Sequence, residues 1–285
     1  MPASSPRPIA RRLRSPWLVW ALIFAVTGAA FSYAQRGRRG QREELPRSVP
    51  QWEVDDNFQH DVFSFARLRY DSWSGGGGWG GRRGGGWATD APEADLNLMF
   101  RLQQMTSLKV NPEPTYIDIE AEQLRHYPFV YMVEPGRLTF RDAQVVALRD
   151  HLLNGGFLMV DDFWGNEQWQ NFRYEIERVF PDLPLVELEI DHPIFHSVFD
   201  LDIKPQIPSI NSFMYDGSTS ERNSGPVHYW AIFDAKGRMM AFIGHNTDLG
   251  DGWEREGEDP TYFERFSERY AYPLAINIIY YAMTH

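Results

Sequence analysis

The chain of 285 residues contains no cysteine. That excludes disulfides, thiolate metal sites and any cysteine nucleophile, so stability has to come from packing. It has no G-x-S-x-G elbow, no phosphate-binding loop and no dinucleotide glycine fingerprint, and the reactions those motifs serve are excluded with them. Basic residues are scarce: 28 against 39 acidic, a net charge of -11. Four of the 28 are arginines within residues 1–34, a stretch without acids, and the remaining 24 against 39 give -15. A surface that acidic repels phosphate backbones, so no nucleic-acid partner is expected. The basic stretch Arg36, Arg38, Arg39 and Arg42 reads as a solvated arm.

What is present is core material, 43% hydrophobic and 15% aromatic. Arg7, Arg11, Arg12 and Arg14 precede the uncharged run WLVWALIFAVTGAA (residues 17–30), and Ser32-Tyr33-Ala34 places small residues at both ends of a tripeptide. This pattern predicts a signal peptide over 1–34, cleaved before Gln35, or an uncleaved anchor contacting the membrane as a transmembrane helix. The expected location is exported, on the periplasmic or extracellular face. Residues 35–60 read as a flexible linker, and 61–285 as one domain interrupted by a glycine-rich loop at 74–86.

Strand and helix patterns alternate through that domain. FVYMV (129–133) and FLMV (157–160) are apolar on both faces, as buried parallel strands are. Residues 62–68, 186–190, 229–233 and 239–243 read as further strands, the last two joined by a turn at Lys236-Gly237. Helical spacing runs over 92–106 and from about 142 to Asn154-Gly155-Gly156, with Thr139 and Asp142 resembling a capping box. Residues 167–180, capped by Asn166, and a closing segment 272–283 also read as helices. The class implied is α/β, a doubly wound, mostly parallel sheet with helices on both faces.

In such a sheet ligands gather beyond the carboxyl ends of the strands. Residues 129–133 exit into Glu134, residues 157–160 into Asp161, Asp162 and Trp164, and residues 239–243 into His245, Asn246 and Asp248, then Asp251, Trp253 and Glu254. Asp161, Asp162 and His245 are the candidate catalytic groups for acid–base hydrolysis; the others, with His192 from the Asp191-His192-Pro193 turn, are candidate ligand contacts. Carboxylates beside indoles suit sugars. Asp248, Asp251 and Glu254 lack the spacing of a helix–loop–helix calcium loop, so neither a metal nor a cofactor is expected.

The stretches FSFARLRYDS, WATDAPEADLNLMFRLQQMTSLKV, PFVYMVEPGRL, LRDHLLNGGFLMVDDFWG, DHPIFHSVFDL and GHNTDLGDGWER resemble the domain of unknown function 4159 family, over about residues 63–285. That resemblance implies a class I glutamine amidotransferase-like, flavodoxin-like fold, related to its trehalose-utilisation branch through Asn154-Gly155-Gly156, His192-Pro193-Ile194 and Gly244-His245. In amidotransferases the strand after those glycines delivers a cysteine. Here Asp161-Asp162 stand there, which excludes ammonia-producing chemistry. The resulting expectation is an envelope domain that binds a glycan or an envelope protein partner; the alternative is a hydrolase of envelope carbohydrate or peptide working through Asp and His.

Overall fold

Five parallel strands and an antiparallel pair form the central sheet of the computed structural model, which describes residues 49–54, 57, 61–73, 86–221 and 224–285. The expected signal or anchor (1–34), most of the 35–60 linker and the glycine-rich stretch apart from Gly86 lie outside the described residues. Among the described residues no helix is long and apolar enough to cross a membrane. The compact unit runs over Ser48–His285. Its core starts ahead of the expected residue 61: Val49 is buried, and the Trp52 indole donates to the Val110 carbonyl at 2.8 Å.

In chain order the strands are β1 (Ala66–Arg69), β2 (Asp71–Ser72), β3 (Thr115–Asp118), β4 (Phe129–Val133), β5 (Leu138–Thr139), β6 (Phe157–Asp161), β7 (Val186–Glu187), β8 (His228–Phe233) and β9 (Met239–His245). The main sheet has the order β3-β1-β4-β6-β9-β8-β7, and β2 pairs with β5 separately. Strands β3, β1, β4, β6 and β9 are mutually parallel; β8 turns back beside β9, and β7 beside β8. The chain winds outward from β1 to β3, then crosses back to β4 and continues the other way. The topological switch therefore falls between β1 and β4.

Alternation along the central strands splits the core in two. Phe129, Tyr131, Val133, Phe157, Met159 and Phe242 face one side, where α1 (Glu93–Met105) packs. Val130, Met132, Leu158, Val160 and Ile243 face the other, covered by α3 (Asp142–Leu153) and α4 (Gly165–Val179), while the short α2 (Ala121–Leu124) follows β3. The last elements are α5 (Ile210–Asp216), α6 (Leu249–Glu254) and α7 (Pro260–Tyr262), which runs on through a π-helical segment, Phe263–Ala271, into α8 (Tyr272–Thr284).

Local chemistry sets the element ends. The Arg141 amide donates to Gln144 Oε1 at 2.9 Å, so α3 is capped two residues later than the Thr139 pattern implies. The Trp164 amide donates to Gln168 Oε1 at 2.6 Å, which starts α4 before the expected Asn166. Gly155 ends α3 with φ +103°, a left-handed conformation that glycine adopts without steric cost.

Candidate functional site

Four non-glycine residues among those described have positive φ: Asp90 (60°), Glu134 (48°), Asp162 (57°) and Asn246 (61°). Three of them directly follow the adjacent parallel strands β4, β6 and β9. Left-handed backbone costs a side-chain-bearing residue roughly 1–2 kcal/mol, least for Asn and Asp. Residues held this way cluster at active and ligand sites in proteins generally, and here three of them share the carboxyl end of the sheet.

Carboxylates crowd this edge. Single oxygens of Asp90, Asp162 and Asp248 lie within 4.8 Å of one another, and so do those of Asp90, Asp251 and Glu254. Asp161 Oδ2 accepts the amides of Leu249 (2.7 Å) and Gly250 (3.1 Å), holding the start of α6 against β6. Asp162 Oδ1 accepts the Trp164 indole N–H at 2.9 Å, and Asp248 Oδ1 accepts the Asp251 amide at 2.7 Å. Burial pushes the Asp161 carboxyl up to about 7. Burial, reinforced by neighbouring carboxylates, raises Asp90, Asp162 and Asp248 well above the ordinary range. Glu254 rises to about 7, again mainly through burial.

Beside the cluster, at the switch between β1 and β4, the Tyr70 hydroxyl lies 2.6 and 2.7 Å from the carbonyl oxygens of Val133 and Glu134 and donates between them. Glu134 Oε2 accepts from the Thr89 hydroxyl at 2.9 Å. Outward from Tyr70 opens a cavity of about 330 Å³, walled by Trp87, Gln144 and two ion pairs. Arg69 grips Asp118 through two hydrogen bonds of 2.9 and 2.8 Å, and Arg141 meets Asp71 at 3.4 Å. Two guanidinium groups thus balance two carboxylates, and the wall carries planar donors and acceptors without net charge. Two residues beyond Asp71, Trp73 is 60% exposed, with Arg137 over its ring at 5.7 Å.

The three strand ends do converge on one rim, as expected, but they do not form the expected constellation. In the parallel register Val160 pairs with Ile243, so Asp161 shares a face with Gly244, and His245 points to the opposite face. There its ring stacks on Trp169 (5.0 Å), with Phe163 and His228 alongside, and Nε2 lies 3.2 Å from the Gly165 carbonyl. Burial lowers its pKa to about 4, and no carboxylate contributes to the shift. An Asp–His acid–base pair is therefore not assembled.

The indole platforms need correcting too. Trp253 is 0% exposed and packs in the core against Phe65 and Tyr131; Trp164 is 5% exposed and spends its N–H on Asp162. Asn246 is consumed by backbone, accepting from the Gly165 amide and donating to the Ser224 and Pro226 carbonyls. His192 lies at the other edge: Nδ1 accepts the Ile194 amide, and its ring adjoins Phe233, which pairs with Met239 at the start of β9. Glu134, Asp248, Asp251 and Glu254 do sit in the rim.

Asp90 and the groove residues Trp87, Arg69, Asp118, Arg141 and Gln144 were not among the expected site residues. The carboxyl-end rule applied to β1 and β3 leads to Arg69, Tyr70, Asp71 and Asp118. The short polar run of β3, TYID, does not stand out as a strand.

Comparison with known families returns a match over residues 64–283 to the model described as Domain of unknown function (DUF4159). No curated protein matches the chain.

Proposed function

We propose that this chain, which belongs to the DUF4159 family, is a non-catalytic recognition domain that binds a neutral glycan in the groove at the carboxyl ends of β1 and β3. The observation that carries the reading is the groove's makeup: a cavity of about 330 Å³ with Tyr70 and Trp87 in its wall and polar groups of balanced charge around them. A polyanion gains nothing from two arginines already neutralised by Asp118 and Asp71. A polyhydroxylated ligand gains both stacking area on an indole and ready-oriented donors and acceptors. Trp73 adds an aromatic surface whose exposure is a standing hydrophobic cost in the absence of a partner.

The likeness to class I glutamine amidotransferases belongs to the same proposal. It rests on the Asn154-Gly155-Gly156 turn leading into β6 and on Gly244-His245 ending β9; where the nucleophile would stand, Asp161 is bound to the amides of Leu249 and Gly250. Hydrolysis is disfavoured by His245 facing away from Asp161. The arginine-flanked apolar run at 17–30 supports an exported or membrane-anchored location in the envelope.

The test is a melting-temperature screen of the purified chain against cello-, xylo-, chito- and malto-oligosaccharides, with reducing ends assayed in parallel. A ligand at one hundred times its Kd stabilises the folded state by about 2.7 kcal/mol. The expected result is a saturable rise of several degrees with one sugar class and no release of reducing ends. Failure of every class to shift the transition, or sustained release of reducing ends, overturns the proposal.

A further inference from the structure

We propose that Asp90, Asp162 and Asp248 form a binding site for one hard divalent cation of the Ca²⁺, Mg²⁺ or Mn²⁺ class. The inference stands independently of the glycan reading.

Geometry comes first. One oxygen from each carboxylate falls within 4.8 Å of the other two. Around a cation with metal–oxygen distances of about 2.4 Å, opposed ligands stand about 4.8 Å apart and adjacent ones closer. The donor set is oxygen only, which selects hard ions over zinc or copper. Water completes the coordination on the half-buried side of Asp90.

Charge comes second. Asp162 and Asp248 are 7% and 4% exposed and Asp90 is half-buried, and three carboxylates so placed cannot all ionise side by side without a countercharge. The neighbouring cations are already engaged: Arg67 with Asp95, and Arg255 with Asp251, Glu254 and Glu258. Those contacts also favour this trio over Asp90, Asp251 and Glu254, because Arg255 already partners the latter two.

The third observation is a buried hydroxyl beside the carboxylates. Tyr131 is wholly buried, and its hydroxyl has no partner at full hydrogen-bond geometry; the polar group it approaches is the Asp161 carboxyl, whose charge it helps to stabilise. It is turned into the cluster. A Cβ placed on Gly250 would lie 2.6 Å from Asp90 Oδ2, 3.3 Å from the Tyr131 hydroxyl oxygen and 3.5 Å from Asp248 Oδ1. Three oxygens from three parts of the chain thus surround a gap that only glycine leaves open, and Asp90 Oδ2 also lacks a hydrogen bond. A buried hydroxyl left unpaired costs about 1–3 kcal/mol. A cation carrying a water into that gap would satisfy both groups.

The full chain, stripped with EDTA and dialysed, would be titrated with CaCl₂, MgCl₂ and MnCl₂ by calorimetry and thermal melting, without glycan. The expected result is one ion per chain for at least one metal and a saturable rise in Tm. Asp162→Asn and Asp248→Asn should weaken binding at least tenfold. Asp90→Asn keeps a residue that tolerates left-handed backbone; it should melt no lower than the stripped wild type and lose the response to metal. Glu258→Gln, on an exposed acid outside the trio, should bind as wild type. If a variant at 162 or 248 fails to fold, Asp90→Asn decides. Absence of saturable binding up to about 1 mM metal, or binding unchanged in Asp90→Asn, overturns the proposal.

Discussion

The guanidinium of Arg67 and the carboxylate of Asp95 meet at 2.6 Å with their side chains 0% and 1% exposed. Arg67 spends its remaining donors on the carbonyls of Trp87 and Thr89 and lies over the Tyr131 ring at 5.2 Å. One buried pair on β1 and α1 therefore holds the segment that carries both Trp87, in the groove, and Asp90, in the acid cluster. Arg67→Met leaves Asp95 buried and uncompensated, and should cost about 3–5 kcal/mol in urea unfolding. Adding Asp95→Leu should recover much of that loss, because the double variant leaves no orphan charge. A single variant as stable as wild type would contradict this role.

Gly252 sits where α6 crosses the end of the π-helical segment. A Cβ there would stand 2.7 Å from the Ala271 Cβ, a contact with no flexible atom to yield. Alanine's better helix propensity gives back roughly 1 kcal/mol, while overpacking costs about 1–3 kcal/mol. Gly252→Ala should therefore lower the denaturation midpoint with an unchanged m-value. A higher midpoint would show that the helices part easily.

Stability should also depend on pH in a particular sense. Burial raises Asp161 and Glu254 to about 7 and pushes Asp90, Asp162 and Asp248 upward. From the unfolded carboxyl values up to about 7 the folded chain binds more protons than the unfolded one, so stability falls as pH rises through that window. His151 and His245 act in the other direction. Burial lowers both to about 4, so they add stability as pH rises from about 4 to the unfolded value of 6.5. Below 6.5 the two trends oppose each other; above it the raised carboxyls carry the fall, in the same direction as His196, which its hydrogen bond to Asp200 raises. In EDTA the Tm should fall between pH 6.5 and 8, and Asp161→Asn should flatten part of that fall. A Tm that rises over the interval would contradict the burial of these acids.

The central strands are legible in the sequence because FVYMV and the FLMV run are apolar on both faces, and only a covered parallel strand needs that. From those two runs the carboxyl-end rule reaches Glu134, Asp161 and Asp162, all of which stand in the rim. Side-chain direction is harder to read. Asp161 and His245 end neighbouring strands, but a strand alternates with period two, and the β6–β9 register that sends them to opposite faces is a tertiary fact. Trp253 departs from the sequence expectation for a related reason: α6 turns it inward onto Phe65 and Tyr131, while its sequence neighbours Asp251 and Glu254 give it a polar context. Asp90 lies 39 residues ahead of Phe129, where β4 begins, and tertiary bonds draw its segment to the rim: Arg67 to the carbonyls of Trp87 and Thr89, and the Thr89 hydroxyl to Glu134.

That the groove at β1 and β3, and not the far face around His245, is the recognition surface can be measured directly by comparing two variants against the oligosaccharide that most raises the melting temperature. By titration calorimetry Trp87→Ala should weaken binding at least tenfold, the loss of about 1.4 kcal/mol of aromatic contact, while His245→Ala binds as wild type. Unaltered binding in Trp87→Ala, or a loss confined to His245→Ala, would contradict the account.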